Sequence, residues 1–122
     1  MKKFSYYLIF TTFILFSFYQ KNLWSKEIKC DLIIKDKKFI SGEIFVRQNP
    51  CTIELKADTK MRINICNQDN SIAEFESIEL QVEKIIPANK SATVLIKPLK
   101  ENKTYKFFEE FSGSECKIYV RN

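Results

Sequence analysis

The 122-residue chain has no histidine, two glycines and three prolines. Without imidazole it can build no Ser-His-Asp or Cys-His catalytic arrangement, no mixed cysteine and histidine zinc site, and no type 1 copper centre. Two glycines do not make a phosphate-cradling loop, and no nucleophile lies in a motif that also supplies its base. An enzyme is not expected. The excess of basic charge is small where it matters. Of 20 Lys plus Arg against 15 Asp plus Glu, three lysines and no acid fall in the first 25 positions, which leaves 17 against 15 in the rest. That balance does not favour a nucleic-acid surface.

The same 25 positions hold nine of the seventeen aromatic residues. Met1-Lys2-Lys3 followed by the apolar run from Phe4 to Tyr19 has the charged and apolar regions of a secretory signal, and it is shorter than the ~20 residues of a spanning helix. Residues 1–25 are predicted to be a signal peptide with Ser25 near its end. The alternative is an uncleaved anchor lengthened by Leu23-Trp24, which would be the chain's membrane attachment. Either way residues 26–122 form one domain outside the cytoplasm, periplasmic or secreted. There, Cys30, Cys51, Cys66 and Cys116, widely spaced and without a C-x-x-C, read as two disulfides rather than a zinc site. Three pairings are possible, and each bridge is worth roughly 2–4 kcal/mol.

Beyond Lys26 the apolar residues recur with period two, the mark of strands with one buried face. The alternation predicts strands around Ile28–Ile34, Ile44–Val46, Ile53–Leu55, Met61–Ile65, Ile78–Val82, Ala92–Ile96, Tyr105–Phe107 and Cys116–Val120. Cys66 falls on the face opposite the aliphatic residues of its strand. No segment reads as a helix. Seven or eight short strands separated by turns predict an all-β, antiparallel Greek-key β-sandwich. In the last third Tyr105, Phe107 and Phe111 are expected in the core, and Phe108 outside it.

A run of short motifs adds to this reading: NQD at Asn67 to Asp69, EFES at Glu74 to Ser77, EK at Glu83-Lys84, IIP at Ile85 to Pro87, PLK at Pro98 to Lys100, and YKFFEEF from Tyr105 to Phe111. In order and spacing they resemble the EfeO-type family of small exported cupredoxin-like domains, associated with periplasmic iron and copper handling. The preceding TIELKADTKMRIN is similar to that family's strand, short turn and strand. The resemblance implies a two-sheet sandwich with ligands gathered at one end, from loops that here span Asp69 to Ser77 and Phe108 to Cys116. It also implies a carboxylate at Glu76 and cysteines 66 and 116 near the loop end, hence a Cys66–Cys116 bridge that leaves Cys30 with Cys51. Two departures stand out: Ser112 follows Phe111 where the family often has a histidine, and Ile40 to Cys51 reads as an insertion.

The candidate metal site is therefore an all-oxygen cluster of Glu76, Glu79, Glu109 and Glu110 with Asp69, chemistry that suits ferric iron, manganese or calcium better than cuprous copper. Phe75 should anchor in the core while Glu76 points to the opposite face. The competing reading makes these carboxylates solvated charges balanced by neighbouring lysines. A Cu(I) site from Cys66, Cys116 and Met61 is the soft-ligand alternative, against which stands the plainer use of both cysteines in a disulfide. The expected partner is an inner-membrane metal permease or another exported protein. A second reading is a structural or interaction domain that binds through its edge strands or the inserted segment.

Overall fold

The computed structural model describes residues 29–122; the predicted leader over residues 1–25 lies outside the described residues. Nine strands follow one another with no helix among the described residues: β1 (Leu32–Lys35), β2 (Lys38–Ser41), β3 (Thr52–Lys56), β4 (Met61–Asn67), β5 (Ala73–Ser77), β6 (Val82–Ile86), β7 (Ser91–Ile96), β8 (Thr104–Glu109) and β9 (Ser114–Arg121). They form a four-stranded sheet in the order β2-β1-β4-β7 and a five-stranded sheet in the order β3-β9-β8-β5-β6. This is the expected all-β sandwich, with one departure in pairing. β1 lies parallel to β4 and β3 parallel to β9. Both pairs join segments far apart in sequence, because the chain passes between the sheets before it returns beside its neighbour.

Alternation places the core as expected along most strands. Ile53 and Leu55, Ile63 and Ile65, Val94 and Ile96, and Ile118 are all buried between the sheets. Three rings tie the layers together: Phe39 of β2 meets Phe107 of β8 edge-on at 4.9 Å, and Phe107 stacks on Phe75 of β5 at 5.1 Å between centroids. Tyr105 is buried beside them, and its hydroxyl accepts a hydrogen bond from the Lys100 N–H at 3.2 Å.

Three local expectations are corrected. Ile44 to Val46 is not a named strand; β2 precedes it at Lys38–Ser41, after a tight turn in which Asp36 and Lys37 both have positive φ, 52° and 62°. That geometry makes a short hairpin without the Asn-Gly pair that usually announces one. Residues 78–81 form the turn between β5 and β6, where the predicted strand Ile78 to Val82 would have begun. Its apparent alternation arises because Leu80 of the turn is buried at 3% exposure while Ile78 stands exposed. Phe111 is 56% exposed and not in the core, since β8 ends at Glu109 and Phe111 stands in the turn before β9.

Gly42 marks a close approach. A Cβ there would strike the carbonyl oxygens of Cys30 and Asp31, because Glu43 and Ile44 donate their N–H groups to those same carbonyls at 2.8 and 3.0 Å. The segment after β2 is thereby held against the start of β1.

Candidate functional site

The disulfides overturn the pairing that the resemblance implied. Cys30 is bonded to Cys66 and Cys51 to Cys116. The reason is topological: Cys66 lies on β4 and Cys116 on β9, in different sheets, and Cys66 falls on the outer face of its sheet, opposite buried Ile63 and Ile65, while Cys116 shares the inner face of the other sheet with Ile118. Each actual bridge instead spans neighbours within a sheet, with Cα atoms 5.6 and 4.6 Å apart. Each also closes the entry to one of the two parallel strand pairs, Cys30 lying just before β1 beside β4 and Cys51 just before β3 beside β9. Among the described residues no cysteine is free, so the Cu(I) set of Cys66, Cys116 and Met61 has no thiolate to offer. Two disulfides fit an oxidising, non-cytoplasmic compartment. Among the described residues no helix is long and apolar enough to cross a membrane.

The loop end, where the resemblance gathers its ligands, is tied together by the candidate residues themselves. Asp69, after β4, accepts the backbone N–H groups of Asp36 and Lys37 at 2.8 and 2.9 Å, which holds the β1–β2 turn. Ser112, at the expected histidine position, donates its hydroxyl to the Lys37 carbonyl at 3.0 Å, and Ser114 does the same at 3.0 Å. Glu109 is 1% exposed. Its carboxylate accepts three backbone N–H groups, from Glu74 at 3.0 Å, Phe111 at 3.2 Å and Ser112 at 2.8 Å. Asn67, buried at the end of β4, donates to the carbonyls of Ser71 and Ile86 and accepts from the Asp69 N–H. Sequence reasoning missed Asn67, although an asparagine ending an apolar alternation just before a turn-rich run was the available signal.

The five predicted ligands are thus separated. Phe75 is cross-strand from Glu109 and Glu76 from Phe108, so Glu109 points into the sandwich while Glu76 lies on the outer face. Glu76 is on β5 itself, not in a loop. Glu79 is exposed in the turn between β5 and β6, and Asp69 is bound to the β1–β2 turn. Glu76 and Glu110 do come together. They share a hydrogen bond that, ahead of partial burial and the charges of Glu110, Glu83 and Glu74, pushes the Glu76 carboxyl up to about 7. Glu74 is also raised, by partial burial first and then by Glu83, Glu110 and Glu109. Among the described residues no group of three or more His, Cys, Asp or Glu is arranged to hold a metal ion.

A pH prediction follows. Because the Glu76 carboxyl is raised above its ordinary 4.5, its stabilising share is complete below about pH 4.5 and disappears as pH rises through about 7. In dilute protein, Glu76→Gln should therefore gain melting temperature relative to wild type on going from pH 5 to pH 8. Parallel profiles for the two proteins would rule out the shared proton.

Comparison with protein families agrees with this architecture. The profile of the cupredoxin-like domain family matches residues 8–120, and the chain belongs to that family. An uncharacterized protein of Rickettsia prowazekii (strain Madrid E) is 36% identical over 93 residues, which cover 76% of this chain and 66% of that protein. The match thus spans just under two thirds of the relative's length. Among solved structures, a laccase from Pediococcus acidilactici superposes with a TM-score of 0.45 at 5% identity, covering 78% of this chain and 30% of the laccase chain.

Proposed function

We propose that the chain is an exported, non-enzymatic cupredoxin-like module of the EfeO type, acting beside iron or copper handling, in which the ligand end has become a latch between loops. The observation that carries this reading is Ser112. It stands where the resemblance expects an imidazole, and its hydroxyl is engaged with the Lys37 carbonyl. Asp69 and Glu109 likewise have their oxygens on backbone N–H groups. A domain built this way binds a protein partner, with a metal permease of the inner membrane or another exported protein as the natural candidates.

Titration of the oxidised protein with copper, manganese and ferric salts tests the reading. The expected result is no saturable one-to-one binding of copper. A second reading rests on the Glu76–Glu110 pair, where a hard cation competes with the shared proton. Stoichiometric manganese or iron binding that strengthens with pH and vanishes in Glu76→Ala would establish that reading in place of the first.

A further inference from the structure

We propose that the outer face of the five-stranded sheet is a self-complementary surface on which a second copy of this chain docks, the acidic end of each copy over the basic end of the other. The inference is independent of any metal. It starts from which side chains alternate outward. On β5, β6 and the residue after β8, Glu74, Glu76, Glu83 and Glu110 gather at one end of the face. Lys56 on β3, Lys106 on β8, and Lys117 and Arg121 on β9 gather at the other, with Glu54 among them.

Sign is segregated down to the register. Glu76 is directly cross-strand from Glu83, Lys106 from Lys117, and Lys56 from Arg121. Like charges placed opposite one another are destabilising in a sheet, so three such pairs on one face are a cost to the isolated chain. Lys84 brings no relief at the acidic end, because it is cross-strand from Phe75 and so belongs to the other side of β6. Among the described residues the one ion pair is Lys106 with Glu115, 3.8 Å apart and exposed, at the seam between the two ends. Tyr119, 54% exposed, and Ile85, 46% exposed, supply apolar contact at opposite ends, and half-buried Phe108 lies between them.

A uniformly acidic or basic partner would be repelled by one end of this face. A second copy turned about a two-fold axis that lies in the interface, perpendicular to the line joining the ends, meets opposite charge at both. Size is consistent with a reversible complex. Five strands about 4.8 Å apart and averaging roughly 20 Å in length give about 900 Å² over two copies, the size of a weak, reversible contact.

Sedimentation of the oxidised protein between micromolar and millimolar concentration is the test. At low salt, about 20 mM, a monomer–dimer equilibrium is expected, and at about 500 mM salt the dimer should dissociate. Lys106→Glu with Lys117→Glu makes both ends acidic, and Glu76→Lys, Glu83→Lys and Glu110→Lys together make both basic. Each charge-reversed variant alone should be monomeric, while an equimolar mixture should form a heterodimer, with circular dichroism confirming that both are folded. A wild type that stays monomeric at low salt overturns the proposal, even if it binds a polyanion or polycation. So does a dimer indifferent to salt and to the charge reversals.

Discussion

Replacing Cys51 and Cys116 together with serine lowers the unfolding free energy of the oxidised domain by about 4 kcal/mol and its melting temperature by roughly 20 °C. The bridge closes a separation of 65 residues, and every strand from β3 to β8 lies within that loop. In the chain-entropy account, a loop of that length in the unfolded state loses freedom worth about this amount. Two features of the site add to it. Cys116 is 1% exposed, so serine would place a hydroxyl in the core. The bridge also fastens β3 to β9, a parallel pair that no short hairpin connects. Cys30–Cys66 encloses 36 residues, about 0.5 kcal/mol less by the same relation, and its first cysteine is half-buried next to the described N-terminus. The double variant at 51 and 116 should therefore have the lower urea midpoint, followed by circular dichroism with the other bridge intact. Equal midpoints for the two double variants, or a lower one for 30 and 66, would contradict this ranking.

The same disulfides show where sequence stops being informative. That four cysteines in an exported chain form two bridges is legible from count and compartment. Which pairs with which depends on β1 lying beside β4 and β3 beside β9, and those neighbourhoods are set by crossings between sheets that leave no local signal. Strand by strand the contrast is similar. β3, β4, β7 and β9 were legible because large aliphatic residues mark their inner faces. β5 was not, because its inward positions are Ala73, Phe75 and Ser77, and two of those three are small. β2 was hidden by a hairpin built on Asp36 and Lys37, in which lysine holds the positive-φ position that glycine usually takes.

The candidate site divides along the same line. Alternation correctly set Phe75 inward and Glu76 outward. The fate of the other carboxylates was not legible, since a glutamate that binds a cation and one that binds backbone N–H groups look alike in sequence. What separates them is geometry: Asp69 meets a turn 32 residues away in the chain, and Glu109 meets the start of β5. Segregation of charge on the outer face is equally invisible along the chain, where lysine and glutamate alternate at short range. It emerges only when the register sets Lys106 against Lys117 and Glu76 against Glu83.

Glu109→Ala is expected to cost about 3 kcal/mol, the largest loss from any single carboxylate in the chain. The carboxylate is buried and is the common acceptor for the N–H groups of Glu74, Phe111 and Ser112. Alanine leaves all three donors without it, two of them in the turn between β8 and β9, and bonds to a charged acceptor are roughly twice as strong as neutral ones. Glu109→Gln should cost less, because its carbonyl oxygen can keep the two donors now on one carboxylate oxygen, and only the Ser112 N–H, left facing the donor amide, loses its acceptor. The loss has a local signature. In Glu109→Ala, amide hydrogen exchange should accelerate at Glu74, Phe111 and Ser112, while the N–H groups of Asp36 and Lys37, held by Asp69, stay protected. If the alanine variant were as stable as wild type, Glu109 would not be holding the latch, and its carboxylate would again be a candidate ligand.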